Sequence, residues 1–264
     1  MVKGLDTFRE RFRAFDGAFT LIGGAACDEW FTAQGLPFRA TKDLDIVLMI
    51  EVLGQAFINA LQSFVSDGGY EIRERNGGTP VLYRFAKPAR EDFPFMLELF
   101  SRSPEGLELA EGQEVIPVRL EPDHHSLSAI LLDDAYYGLI QIHHDQRDGM
   151  RVANASALIP LKSKAWLDLT RRKSAGESID SRNVAKHRND IFRLAATLPG
   201  EPGAELPPTV VADLATFLSA FPVSSADWDS ILAAVKETIG GGLRPAVLRD
   251  ALANYFRIPT TLTR

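Results

Sequence analysis

Asp43 and Asp45 are the residues best suited to chemistry, and they follow a glycine pair, Gly23 and Gly24. Side chains two positions apart on a β-strand point to the same face, so the two carboxylates could share hard cations such as Mg²⁺. Glycine amides at the start of a helix can approach phosphate oxygens closely, because glycine has no Cβ and the helix N-terminus favours anions. Together these features predict a site for a metal-bound nucleoside triphosphate.

Glu98 is a third candidate carboxylate, in the strand-like stretch Met-Leu-Glu-Leu-Phe. A charged residue in so apolar a strand is costly unless it is paired, liganded or turned to solvent. Glu98 is therefore a candidate metal ligand or general base, and a surface position on an edge strand is the alternative. Three converging carboxylates would suit two-metal nucleotidyl transfer, for which a lysine or arginine near the phosphates is expected.

A mixed sheet flanked by helices would position these residues. Hydrophobic periodicity and turn residues predict helices at 5–15, 25–34 and 51–66, and strands at 43–49, 70–74, 80–85, 93–100, 113–120 and 138–143. The later pattern is helical, at 156–173, 183–197, 208–220, 225–239 and 243–255. We therefore expect an α+β fold with a mixed-sheet domain at 1–155 and a helical domain at 156–264.

Composition narrows the class of protein. With 264 residues, 45% of them hydrophobic, the chain can form a packed core. The single cysteine, Cys27, excludes an internal disulfide framework and fits a reducing cytoplasm. No stretch approaches the roughly 20 apolar residues that cross a bilayer, and the N-terminus lacks a signal-peptide pattern, so we expect a cytoplasmic protein without membrane contact.

The distribution of charge is more informative than the net charge of −6, which argues against a general nucleic-acid-binding surface. Between residues 162 and 193 there are nine lysines and arginines against four acids. This basic segment could bind phosphates, and a solvated helical face is the other interpretation.

Two groups of residues resemble a known family. The first comprises Gly23, Gly24, Arg39, Thr41, Asp43 and Asp45. Its spacing resembles the nucleotidyltransferase signature of the DNA-polymerase-β-like superfamily, and its form is most similar to the AbiEii/AbiGii toxin branch. The second comprises Lys162, Lys164, Arg171 and, within 186–194, Asp190. It is similar to that branch's second region, which carries a lysine and a downstream aspartate.

The resemblance implies a nucleotidyltransferase core, a helical lobe, and bound Mg²⁺, in one or two ions, with a nucleoside triphosphate. It implies that Asp43 and Asp45 are the metal ligands. Glu98 is the third candidate ligand from the strand pattern, where an aspartate is common elsewhere in the superfamily. The resemblance also implies that Gly23 and Gly24 line the phosphates. Lys162, or Lys164 as its competitor, would reach the phosphates. Asp190 would belong to the catalytic or lysine-orienting set.

Members of this branch act as toxins countered by an antitoxin, and some transfer nucleotides to tRNA 3′ ends. An RNA acceptor and an antitoxin partner are therefore expected. This chain has Ala25 and Ala26 where many relatives in the superfamily have a serine, so only backbone donors remain there. Two alternatives stay open: transfer to a small, aminoglycoside-like acceptor, and a non-catalytic domain that binds nucleotide or a partner.

Several single residues keep two interpretations. Arg39 could contact a phosphate or pair with an acid, and Thr41 could bind a carboxylate or have a structural role. Trp166 could pack in the core or stack on a base. The doublets His124-His125 and His143-His144 offer at most one metal ligand each, because neighbours on a strand face opposite ways.

Overall fold

A seven-stranded mixed sheet is the centre of the α+β fold, which confirms the predicted fold class. The computed structural model describes residues 2–49, 52, 54–72, 82–100, 133–203 and 205–259. The predicted strand at 113–120 and the doublet His124-His125 lie outside these residues.

Nine helices and seven strands are present within the described part of the chain. The helices are α1 (Leu5–Phe12), α2 (Gly23–Thr32), α3 (Gln55–Gly68), α4 (Asp134–Ile142), α5 (Ala155–Ser174), α6 (Ser181–Ala195), α7 (Pro208–Ser219), α8 (Trp228–Ile239) and α9 (Pro245–Tyr255). The strands are β1 (Phe19–Ile22), β2 (Asp43–Leu48), β3 (Glu71–Ile72), β4 (Leu82–Ala86), β5 (Met96–Phe100), β6 (His144–Arg147) and β7 (Met150–Ala153).

The strand order is β3-β4-β5-β2-β1-β7-β6. The pairs β2/β5 and β1/β7 are parallel, and the other neighbours are antiparallel. β2 therefore lies inside the sheet, between β5 and β1. Its burial alternates at Asp43, Leu44, Asp45 and Ile46, with both aspartates half-buried and both apolar residues fully buried, as predicted for a strand with one polar face.

The chain divides into two compact units. The sheet unit comprises Met1–Glu29, Ala40–Leu132 and His144–Asn154, and the helical unit comprises Trp30–Arg39, Asp133–His143 and Ala155–Arg264. One division falls between Asn154 and Ala155, beside the boundary proposed from the sequence. The other divisions assign the segments 30–39 and 133–143 to the helical unit. The two contiguous domains expected from the sequence, 1–155 and 156–264, place both segments in the first domain. Among the described residues, every regular element after Ala155 is a helix.

The prediction of a strand at 138–143 is wrong, because this segment belongs to α4. The side chain of Asp133 accepts a hydrogen bond from the backbone N–H of Ala135 and caps the helix. Tyr136, Leu139 and Ile140 are buried at helical spacing. A short apolar run flanked by tyrosines also fits a strand, so only the cap distinguishes the two.

Aromatic side chains form the core of each unit. In the sheet unit, they are Phe8, Phe12, Phe19, Phe57 and Phe64, with ring centroids 4.4–6.2 Å apart in the closest pairs. In the helical unit, they are Trp166, Phe192, Phe217, Phe221 and Trp228. This second cluster joins α5, α6, α7 and α8. None of the helices in the described ranges has the length and apolar character needed to cross a membrane.

Replacing Phe192 by alanine should lower the free energy of unfolding by about 3–5 kcal/mol, the usual cost of a cavity at a buried phenylalanine. Phe192 is fully buried, and its ring lies 4.8 Å from that of Trp228. Urea denaturation measures the loss. Val247→Ala, at an exposed position of α9, is the control and should change little. Equal effects of the two substitutions would contradict the cluster's role as core.

Candidate functional site

The three predicted carboxylates lie on one face of the sheet. Asp45 pairs with Glu98 in the parallel β2/β5 ladder, and Asp43 pairs with Met96 two positions before. Residues opposite each other on neighbouring strands point to the same face. On the far side of β5, Arg84 pairs with Glu98 in the antiparallel β4/β5 ladder. Arg84, Glu98 and Asp45 thus form a row across three strands, which we call the carboxylate row.

Gly23 lies against the carboxylate of Asp45. Ile22, the last residue of β1, pairs with Asp45, and α2 begins at the next residue. A Cβ at position 23 would overlap Oδ2 of Asp45 and lie 2.7 Å from its Cγ. The φ angle of Gly23 is +67°, a conformation that L side chains rarely adopt. Position 23 therefore requires glycine for two reasons: the Asp45 carboxylate occupies the space that a Cβ would need, and the φ angle is positive.

The glycine pair is partly accessible, whereas the residues after it are core. Gly23 and Gly24 are half-buried, and Ala25 and Ala26 are fully buried. The predicted start of a helix at the glycine pair is confirmed. The negative charge of Asp45 at the first turn of α2 is favourable, since the N-terminus of a helix carries a partial positive charge.

Glu98 is held by an ion pair. Its side chain is 2% exposed, and its Oε1 accepts a hydrogen bond of 2.6 Å from Nε of Arg84. The guanidinium offsets part of the cost of burying the carboxylate. Glu98 is thus not a solvated residue of an edge strand, because β5 lies between β4 and β2.

A ready-made three-ligand cation site is absent from the described residues: no group of three or more His, Cys, Asp or Glu side chains is placed to hold a metal ion. Mg²⁺, however, is usually held by one or two carboxylates together with waters and substrate phosphates. Asp43 and Asp45 fit that requirement, because they share a face and are both partly accessible. The two aspartates would hold the ion, and the bond to Arg84 weakens Glu98 as a further ligand.

A second charged cluster, which we call the Asp190 cluster, lies in the helical unit. Asp190 is fully buried and accepts two hydrogen bonds from Arg39, Nε–Oδ1 at 3.0 Å and Nη2–Oδ2 at 2.7 Å. Lys162 Nζ lies 3.0 Å from Oδ2, and Arg193 Nη1 lies 3.2 Å from Oδ1. One buried carboxylate thus orients three cations. Of the two interpretations of Arg39, these hydrogen bonds support pairing with an acid.

The charges of the cluster shift the pKa values of Asp190 and of the neighbouring His187. Burial alone would raise the pKa of Asp190, but the charge of Lys162 and the hydrogen bonds of Arg39 hold that pKa well below its ordinary range. His187 lies beside these cations. Desolvation, reinforced chiefly by Lys162, lowers the pKa of His187 to about 3, so the imidazole is neutral at pH 7.

Lys164 has a partner of its own. Its Nζ lies 2.7 Å from Oδ2 of Asp213, and the hydroxyl of Tyr136 donates to the same oxygen at 2.7 Å. Lys162 is almost fully buried, whereas the side chain of Lys164 is 34% exposed. Lys162 and Lys164 therefore belong to different networks, and only Lys162 contacts Asp190.

The basic segment 162–193 is largely neutralised within the helical unit. Seven of its nine cations form ion pairs: Lys162 and Arg193 with Asp190, Lys164 with Asp213, Arg171 and Arg172 with Asp168, Arg182 with Asp180, and Arg188 with Asp227. The buried members, such as Arg188, connect α6 to other helices. Arg171 and Arg182 stay largely exposed in local pairs, which contribute little to stability and remain accessible to anions.

The remaining candidates have simpler surroundings. The ring of Trp166 packs against Phe217 and Phe221, at 5.3 and 5.1 Å, which supports a role in the core. Thr41 precedes β2 and lies outside the strand. His143 ends α4 and His144 begins β6. Arg84, Arg193 and Asp213 were not singled out from the sequence, because their partners become neighbours only through the strand register and helix packing.

Comparison with protein-family models finds no match to this chain, and comparison with curated protein sequences finds none either. The functional argument therefore depends on the residues themselves.

Gly23→Ala should destabilise the protein more than Gly35→Ala, by about 2 kcal/mol, the usual cost of overpacking. The two glycines have matched φ angles of +67° and +70°, but a Cβ at Gly35 meets nothing within 4 Å. Urea denaturation of both variants isolates the contact with Asp45. The excess cost should shrink in an Asp45→Ala background. Equal costs in the two single variants would contradict the contact.

Asp190→Asn should lower the free energy of unfolding by about 3–5 kcal/mol at pH 7, because it leaves three cations around a neutral group. The folded-state pKa of Asp190 lies below its ordinary value of 3.8, so this stabilisation is complete above about pH 5 and is lost as the pH falls through the folded pKa. The difference in the free energy of unfolding between wild type and variant should therefore narrow by about 1 kcal/mol between pH 7 and pH 3.

Urea denaturation at both pH values measures this difference. Asp92→Asn is the control, because it removes an exposed pair with Arg90 and should have a much smaller effect. A pH-independent difference for Asp190→Asn would contradict the charged state of this carboxylate.

Proposed function

We propose that the protein is a divalent-metal-dependent nucleotidyltransferase that transfers a nucleoside monophosphate from a triphosphate to a hydroxyl acceptor. The observation that carries the proposal is the position of Asp45, beside Asp43 on one strand face and against Gly23 at the first turn of α2. Carboxylates for a cation and helix amides for phosphate thus occur at one point of the sheet unit.

The reaction requires few groups from the protein. The acceptor oxygen attacks the α-phosphorus, the bond between the α-phosphorus and its bridging oxygen breaks, and pyrophosphate leaves with the bond electrons. When bound, Mg²⁺ would neutralise charge on the phosphates and lower the pKa of the acceptor hydroxyl. Asp43 and Asp45 would hold the ion, and the acceptor's proton would pass to a carboxylate or to water. Fixed orientation accounts for most of the expected acceleration.

The resemblance assigns phosphate binding to Lys162, which lies in the Asp190 cluster. Asp190 holds Lys162, Arg39 and Arg193 in fixed geometry within the helical unit, and Arg193 also pairs with Glu237. Preorganised charge stabilises phosphate groups better than flexible surface lysines do. In this proposal Lys162, oriented by Asp190, is the phosphate-binding lysine, and Arg39 acts through Asp190.

An RNA 3′ end, as in tRNA, is the first candidate acceptor, in line with the resemblance to the AbiEii/AbiGii toxins. The corresponding role is that of a toxin with a cognate antitoxin, acting in the cytoplasm, where a single buried cysteine stays reduced. A small hydroxylated acceptor is the second candidate. Internal pairing of Arg188 with Asp227 and of Arg193 with Asp190 favours it, because these buried cations are not offered to an RNA backbone.

Incubation with each labelled triphosphate, Mg²⁺ or Mn²⁺, and either total RNA or a panel of aminoglycosides tests the proposal. Transfer is expected for the wild type, with a loss of about 100-fold or more in Asp45→Asn, since even groups behind the metal ligands cost 10–100-fold. Asp92→Asn, an exposed acid of the same unit, is the matched control and should keep full activity.

Absence of transfer to every acceptor with either cation would contradict an enzymatic role. Triphosphate binding that needs no cation and is unaffected by Asp45→Asn would indicate the non-catalytic alternative.

A further inference from the structure

We propose that Arg84 is a positioning residue that competes with a divalent cation for Glu98. Through this competition, Arg84 keeps Glu98 and Asp45 from binding the cation tightly before the triphosphate arrives. The inference rests on the proposed function and deepens it, because it assigns an order to the binding of metal and nucleotide.

The geometry of the row supports competition. β5 lies between β4 and β2, so Glu98 has Arg84 on one side and Asp45 on the other. Neighbouring strands are about 4.8 Å apart, which places both neighbours within reach of one glutamate side chain. Oε1 of Glu98 is engaged at 2.6 Å by Nε of Arg84, on the side away from β2. While that bond holds, the negative charge of Glu98 is shared with the guanidinium, so its carboxylate is a weaker ligand for a cation at Asp45.

The electrostatics favour the ion pair while no cation is bound. Glu98 is 2% exposed and pairs with Asp45 across the strands, so an uncompensated carboxylate there would be costly. The guanidinium of Arg84, 2.6 Å away, offsets that cost. The described residues accordingly contain no preassembled three-carboxylate site.

An order of binding follows. A bare cation meets only Asp43 and Asp45 while Arg84 engages Glu98. A cation that arrives on a triphosphate brings phosphate oxygens as further ligands and needs no third carboxylate. Arg84 thereby selects the metal–triphosphate complex over the free ion.

Titration of the nucleotide-free protein with Mn²⁺, followed by electron paramagnetic resonance, tests the inference without any turnover. Arg84→Met should bind Mn²⁺ about tenfold more tightly than the wild type, because Glu98 is then available as a further carboxylate ligand. Arg84→Lys keeps the charge and should stay within about threefold of the wild type. Arg84→Gln is the second neutral variant, and thermal melting confirms that each variant is folded.

The increase in Mn²⁺ affinity must depend on Glu98. In a Glu98→Gln background, Arg84→Met should change the Mn²⁺ affinity by roughly twofold or less, because a charge two strands from Asp45 is well screened. A full tenfold gain in that background would overturn the inference, as would unchanged or weaker binding in both folded neutral variants.

The outcomes also separate the inference from the proposed function. If Asp45→Asn removes Mn²⁺ binding but the neutral Arg84 variants do not tighten it, only the role of Arg84 is overturned. If Asp45→Asn leaves Mn²⁺ binding unchanged, the carboxylate row is not the metal site, and both proposals fail.

Discussion

The contact between Gly23 and the Asp45 carboxylate is the constraint on which the rest of the sheet unit depends. It joins the end of β1, the first turn of α2 and the polar face of β2 at one point. Any side chain at position 23 would displace the aspartate or the helix, so the backbone conformation and the carboxylate position are determined together. The strand register then places Glu98 and Arg84 beside this point. A single steric requirement thus organises the row that we assign to metal binding.

The two units use charge in opposite ways. In the sheet unit, Asp43 and Asp45 stay partly accessible, as a cation site requires. In the helical unit, Asp190 is fully buried and binds cations from three different parts of the chain. A buried carboxylate of this kind contributes orientation more than stability, because desolvation offsets much of the attraction. Asp190 holds Lys162 in one position, as the phosphate-binding role proposed for this lysine requires.

Local patterns in the sequence predicted β2, α2 and the helices after residue 155, because periodicity and glycine signals act over a few residues. They failed at 138–143, where the cap at Asp133 outweighed a strand-like run. Local patterns do not predict partners far apart in sequence, such as Arg39 and Asp190, which are 151 positions apart. Only the family resemblance pointed to Asp190 as a lysine-orienting residue, and Lys162 does contact it. The pairing of Arg84 with Glu98 needed the strand register, which a sequence without an assigned sheet order does not provide.

The most direct test of the central claim is a crystal structure with Mn²⁺ and a triphosphate whose α–β bridge cannot be cleaved. Anomalous scattering locates the ion independently of the protein model. The account predicts an Mn²⁺ peak within coordination distance of the Asp43 and Asp45 carboxylates, with phosphate oxygens in the same shell. A triphosphate bound elsewhere, or an ion bound without either aspartate, would contradict it.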